Sequence, residues 1–400
     1  MCLLQIFATA FSHALEPETF KLSGINVTPQ ISISQGYSDN LLHGEDRKEH
    51  TVYNVLAPKV TISQVKNLNF YQLDYGFSYK NNAASGSDNY TNHQLTTKAF
   101  FDLATRHRIL FSADYLKDHE ERGQGYSIGF AEVLQQPTAN ETLNLESLYT
   151  FGAKTAQANI DVVASYQQVR WQGLHLDDLN LPDDSDDIDY SANREYDQSS
   201  VGARLHYKTG AFTKVTFRAN VTKVTYNQPR EGEYPLDSKT IDGFVGFEWQ
   251  GSALTTGYVR LGYENRNFDQ QALSDESGLR WQVGVLWRPL TYSNFDFSSS
   301  KNVSESKGQG TYIKNTNYTA TWHHQWLDRI ATNLAYSLNQ DEYGGSLRED
   351  DNYVFNAGIE YQMRRNLECV ISLTSIDRSS NFEQLEYNEN QLTFTLNASF

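Results

Sequence analysis

The last ten residues alternate without exception: Leu392, Phe394, Leu396, Ala398 and Phe400 are apolar, while Gln391, Thr393, Thr395, Asn397 and Ser399 are polar. A period of two means a strand with one apolar and one polar face. Tyr71, Leu73, Tyr75, Phe77 and Tyr79 repeat the pattern against Gln72, Asp74, Gly76 and Ser78. So do Trp281, Val283, Val285 and Trp287 against Arg280, Gln282, Gly284 and Arg288, with Leu286 out of step. Val215 to Val221 and Tyr353 to Tyr361 follow the same rule. No helical period intervenes, so the chain is predicted to be all-β.

About eighteen such segments can be marked, with sixteen to twenty as the bracket. Their centres fall near Ile33, Lys59, Tyr75, Lys98, Phe111, Leu148, Val162, Ala203, Phe217, Val245, Leu261, Val283, Phe295, Tyr318, Leu334, Ala357, Ile371 and Leu396. Connections after the even-numbered segments are tight, at Lys66-Asn67, Arg106-His107, Lys154-Thr155, Thr209-Gly210, Gly251-Ser252, Arg288-Pro289, Leu327-Asp328 and Arg365-Asn366. Connections after the odd-numbered segments are mostly long and polar. Short turns on one side and long loops on the other predict a transmembrane antiparallel β-barrel spanning residues 24–400, with both termini on the periplasmic side. Such a barrel is wide enough to leave a wet lumen.

Composition narrows the picture. The chain is 13% aromatic, yet its mean hydropathy is −0.59, and no apolar run long enough for a membrane helix follows the N-terminus. Trp and Tyr concentrate at strand ends, as in the interface girdles of membrane barrels. The expected location is therefore the outer membrane of a Gram-negative cell, as an integral protein in contact with lipid and lipopolysaccharide, inserted by the barrel-insertion machinery. Residues 1–14, MCLLQIFATAFSHA, read as a signal peptide with Ser12 and Ala14 at cleavage spacing. They lack a basic start, the first Lys or Arg being Lys21, so the true start can lie upstream. Cys2 and Cys369 offer no disulfide framework. A net charge of −16 argues against nucleic acid as a partner.

The stretch Asn26 to Leu42, NVTPQISISQGYSDNLL, resembles the opening of the putative β-barrel porin family of exopolysaccharide and capsule gene clusters, through Pro29, Tyr37, Asp39 and Asn40. The resemblance implies a porin that passes polysaccharide to the surface in cooperation with a periplasmic polysaccharide-export protein. It carries over no catalytic residues.

Candidate chemistry sits on the face opposite the aromatic stripe. Arg204, His206, Lys208, Lys214, Arg218, Arg260, Arg266, Arg280 and Arg288 point inward on neighbouring segments, whereas Asp74, Asp114, Asp161, Glu360 and Glu368 lie on others. Two readings follow: separated charge would set a field across the pore and favour anionic solutes, or the lining pairs its charges between neighbouring strands. Tyr258 could begin a sugar-stacking track or simply pack. The loop from Leu174 to Tyr190 carries seven aspartates but departs from a calcium loop, with Ile188 and Arg194 where the turn glycine and distal Glu belong. It reads as a solvated loop, or as one that folds into the pore; no metal or cofactor is assigned. Enzymatic motifs are absent, and His323-His324 on a strand must face opposite sides. The functional expectation is a polysaccharide-export porin, not an enzyme. A general or sugar-uptake diffusion porin for small hydrophilic solutes is the alternative, and an outer-membrane enzyme is the third reading. Phe400 is expected to serve as the assembly signal.

Overall fold

The computed structural model describes residues 18–45, 48–174, 189, 191–227, 234–251, 254–307 and 309–400. Residues 1–14, expected to be a signal peptide, and most of the aspartate-rich loop fall outside these residues. A short strand, β1 (Phe20–Leu22), precedes β2 (Ile25–Ser38), β3 (Thr51–Lys66), β4 (Asn69–Asn82), β5 (Tyr90–Ala104), β6 (His107–Glu120) and β7 (Thr138–Phe151). Then come β8 (Ala158–Trp171), β9 (Tyr196–Lys208), β10 (Thr213–Tyr226), β11 (Ser238–Trp249), β12 (Thr255–Phe268) and β13 (Glu276–Leu290). The last are β14 (Ser293–Glu305), β15 (Tyr312–Leu327), β16 (Ile330–Gly344), β17 (Glu349–Arg364), β18 (Leu367–Ser380) and β19 (Tyr387–Ser399).

Each strand from β2 onward pairs antiparallel with its neighbour in sequence, and β19 returns to β2 from Gln391↔Ser38 to Ser399↔Gln30. The sheet therefore closes as an eighteen-stranded barrel, with β1 paired only to the start of β2. All eighteen predicted centres fall within β2 to β19.

Register decides which face each residue takes, because partners across an antiparallel pair share a side. Leu392↔Tyr37, Leu261↔Trp281 and Phe394↔Ile371 lie on the outer face. Large outward side chains stay exposed on strand after strand, among them Ile33, Tyr75, Phe111, Val201, Val245, Leu261, Ile359 and Phe394. A continuous exposed apolar band of this extent is stable only against lipid. The inner face takes Thr393, Asp74, Arg204 and their partners.

One tight connection differs from the sequence reading. Arg288 and Pro289 lie inside β13, and the chain reverses at residues 291–292. The β13–β14 register shifts between Trp287 and Leu290. Pro289 thus sits in a bulge, a place in a ladder where a missing N–H leaves no pairing bond unmade.

Closure ends on the last residue: the Phe400 N–H donates to the Pro29 carbonyl at 3.1 Å, as does the Ser399 hydroxyl. Deleting Phe400 or replacing it with Asp is expected to abolish assembly, read as loss of the faster-migrating band in unheated gel samples of outer membranes. Wild-type amounts of that band would contradict the expectation.

Candidate functional site

The inner wall is best followed from β8 to β13, where the basic residues cluster. Arg204 stands directly opposite Arg218, and Asp161 opposite Arg204. Of the two readings of the lining, the ion pairs on these strands agree with charge paired between neighbours. Four further acids lie among the arginines: Asp242 and Glu248 on β11, between the arginine-bearing β10 and β12, Glu264 on β12 and Glu276 on β13. Arg218 meets Asp242 at 3.4 Å, Arg260 meets Glu248 at 2.9 Å, and Arg280 bridges Glu264 at 3.3 Å and Glu276 at 3.2 Å. Lys214 shares Glu248 at 2.8 Å, and the His206 ring lies 2.9 Å from Asp161. On β10 to β13 each of these arginines thus has an opposite charge within a strand spacing, which weakens its field at a distance. Among the described residues Arg204 has no carboxylate within ion-pair distance.

The predicted acids hold polar partners of their own. Asp114 accepts from Thr96 at 2.6 Å, Asp74 lies 3.7 Å from the Lys59 ammonium, and Glu360 accepts from Asn333. Glu360 and Glu368 are both buried. His323 and His324 face opposite sides as expected: one ring bonds Asn333 at 2.7 Å, the other packs 4.1 Å from the Trp326 ring.

Inward aromatics recur in a unit that sequence reading missed. A Cβ built on Gly262 would fall 2.5 Å from the Phe244 ring, and one on Gly284 would fall 2.6 Å from Tyr258. Each ring lies flat on a facing glycine of the next strand, a device that shields a bare stretch of backbone. A cation then covers it: Arg218 sits 4.3 Å from the Phe244 ring centre and Arg260 4.3 Å from that of Tyr258. Tyr258 is therefore engaged by the wall itself. Its edge still borders a cavity of about 480 Å³ at the short-turn end, which also gathers Lys208, Lys214, Glu248, Asp296 and Ser298.

Two features bring side chains and loops together at the long-loop end. First, the β6–β7 connection, residues 121–137, crosses the mouth: Gly129 lies against Gln384 and Leu385 of the β18–β19 loop, and Gly123 against Leu42 of the β2–β3 loop. Its anchor is a buried cluster in which Glu121 takes bonds from Lys80 and Tyr90 (2.7 Å), and Arg122 bonds Asp88 at 2.7 Å. His43 bridges the Arg122 carbonyl at 3.0 Å and Glu389 at 3.2 Å. Second, Glu305, Tyr312 and Lys314 continue the outward alternation of β14 and β15, yet they meet inward residues of β10 to β13. Glu305 pairs with Arg266 at 2.6 Å and accepts from Tyr226 at 2.7 Å, while Glu276 accepts from Tyr312 at 3.0 Å and pairs with Lys314 at 3.1 Å. The tip of this hairpin thus lies inside the neighbouring strand ends.

Two mouth groups titrate unusually. Burial alone would raise the Glu121 carboxyl, but Lys80 above all, then His43, hold it down at about 2. Burial alone would lower His43; the bond to Glu389, the charges of Glu389 and Glu121 and the Arg122 carbonyl outweigh it and raise the imidazole above its ordinary value. A raised histidine pKa stabilises the closed arrangement fully below about 6.5, and that contribution is lost as pH rises through the folded value.

A model of the family described as Putative beta-barrel porin 2 matches residues 21–400. No curated protein matches the sequence. Among solved structures, the siderophore receptor PiuA from Acinetobacter baumannii aligns with TM-score 0.50 and 9% identity over 96% of this chain and 82% of its own. The ferric enterobactin receptor PfeA from Pseudomonas aeruginosa, as a double mutant, aligns with TM-score 0.50 and 7% identity over 94% and 80%. OpdK from Pseudomonas aeruginosa, solved with vanillate, aligns at 0.49 and 8% over 94% and 99%. At these identities the likeness concerns the barrel fold alone.

Two outcomes are expected. Arg280, whose side chain is 2% exposed, leaves Glu264 without a cation and Glu276 with Lys314 alone when changed to Gln, so the urea midpoint of heat-modifiable barrel should fall by an amount equivalent to about 3–5 kcal/mol. Arg204→Gln should change it by less than about 0.5 kcal/mol. In addition, protease cleavage within residues 121–137 should accelerate as pH rises from 6 to 8.5, and His43→Gln should flatten that dependence; an unchanged pH profile in the variant would remove His43 from the closure.

Proposed function

The chain belongs to the Putative beta-barrel porin 2 family, and from that premise we propose that this porin-type channel of the outer membrane carries hydrophilic saccharide, in the direction of export. The short turns and both termini face the periplasm in this reading, where a polysaccharide-export protein would deliver polymer to the cavity beside Tyr258. Lining roles fall to Arg204, His206, Arg218, Arg260, Asp74 and Asp114, with the buried Arg280 and Glu360 supporting the wall behind them.

The observation that carries the proposal is the pairing of charge along the inner wall. An ion-selective pore exposes charge of one sign. Here the arginines are matched by acids one strand away, leaving a surface dense in donors and acceptors but weak in net field. Sugar hydroxyls can exchange bonds with such a wall at every step without being trapped by a strong site. The aromatic edge and mixed polar lining of the short-turn cavity are of the kind that orients a saccharide.

Protein in a planar bilayer is expected to pass K⁺ and Cl⁻ almost equally, with Arg204→Gln removing any residual anion preference. Exopolysaccharide oligomers added on the short-turn side should interrupt the current more often than from the other side. A strong anion preference that falls with salt would show the pairs to be open in water. Equal interruption from both sides would favour passive diffusion over export.

A further inference from the structure

The outer wall carries a hollow that the channel does not use. On β14 and β15 the outward residues run Phe295, Phe297, Ser299, Lys301 and Trp322, Ala320, Tyr318, Thr316, paired Phe297↔Ala320 and Ser299↔Tyr318. The two small side chains are diagonal neighbours in an otherwise aromatic band. They leave a cavity of about 320 Å³ walled by Val283, Val285, Phe297, Tyr318 and Tyr336. Such a surface, open to the bilayer, fits methylene chain.

The upper end of this hollow is chemically different. Backbone pairing between β13 and β14 stops at Trp281↔Lys301, because the β14–β15 tip turns inward above it. Trp281 closes the head of the hollow, its indole N–H donating to the Ser299 hydroxyl at 3.0 Å. The Lys301 ammonium rests over the same ring, 5.7 Å from its centre. Among the described residues Lys301 pairs with no carboxylate, in contrast to Arg218, Arg260 and Arg280 on the inner wall. A cation left unneutralised beside an indole, at the edge of the apolar band and directly above an acyl-sized hollow, is complementary to a lipid phosphate.

We propose that the outer face at the β13–β14–β15 junction is a binding site for one phosphate-bearing acylated lipid of the leaflet on the long-loop side. One acyl chain fills the hollow between Phe297, Tyr318 and Tyr336, and the phosphate meets Lys301. The lipid covers the place where the two strands part company, and so seals the seam from the bilayer side while Arg266–Glu305 and Glu276–Lys314 hold it from within.

The test is native mass spectrometry of the full-length protein in detergent, titrated with phosphatidylglycerol or phosphatidylcholine of identical chains. One phosphatidylglycerol should be retained about fivefold more tightly than phosphatidylcholine, the effect of one cation near a membrane surface. Lys301→Glu should abolish that preference while leaving chain-dependent binding. Ala320→Trp, which fills the hollow, should lose the retained lipid of either kind. Both variants must still run as heat-modifiable barrel; if either does not, Lys301→Gln and Ala320→Phe replace it in the same titration. Equal retention of the two lipids by the native protein would overturn the proposal. So would retention untouched by both substitutions, or a dimer of the native chain that Ala320→Trp splits without altering lipid binding, which would make the hollow an interface between copies.

Discussion

Everything in this molecule follows from the need to satisfy backbone N–H and C=O groups inside hydrocarbon, where each unpaired group costs several kcal/mol. An open sheet leaves two unpaired edges, and the only cure for a sheet is to close. Here closure is made by β19 against β2, from Gln391↔Ser38 to Ser399↔Gln30, with Phe400 adding one further bond to Pro29. Where the ladder does end early, between β13 and β14, the structure answers locally. The Arg280 guanidinium donates to the Leu279 carbonyl at 3.1 Å on that free edge, and the adjoining hairpin tip tucks inside.

Closure also fixes what the inner wall must be. Half of every strand points into the lumen, and the lumen of an eighteen-stranded barrel is too wide to fill with side chains, so those positions must be polar. A wall of unmatched charge would repel itself, and a wall without charge would bond poorly to water. Alternating Arg218 with Asp242 and Arg260 with Glu248 meets both difficulties. The flat aromatics do related work: Phe244 on Gly262 and Tyr258 on Gly284 cover exposed backbone, and the arginine above each gains a cation–π contact of roughly 0.5–2 kcal/mol.

The strands were legible because the signal for them is local: period-two alternation survives whatever the neighbouring strand does. Leu392 to Phe400 announce their faces unaided, and so does Tyr71 to Tyr79. The pairing of charge was not legible in the same way. Asp242 and Arg218 lie twenty-four residues apart, and only a register known to the residue places them on one side of one rung. Glycines 262 and 284 are silent for the same reason, since nothing in sequence names the ring that will lie on them. The Arg288-Pro289 turn was misplaced because proline is an ordinary turn signal, and its other use, in a bulge within a strand, depends on the partner. A reading of separated charge stays open in the sequence only while the arginines on β9 to β13 are counted without the acids threaded between them.

The two ends of the barrel differ in how their groups are held, and that difference bears on gating. At the short-turn end the connections are tight and the wall residues are half-exposed, so the opening is set by strand geometry and has little freedom. At the long-loop end the mouth is crossed by a segment held through ion pairs and hydrogen bonds: Glu121 with Lys80, Arg122 with Asp88, His43 between Arg122 and Glu389. Such contacts are buried and directional, so they are strong while complete and weak once one partner moves, because the remaining charge is left without compensation. The mouth is thus held by buried, directional contacts, and the wall below it on β10 to β13 by strand pairing and by ion pairs such as Arg218–Asp242 and Arg260–Glu248.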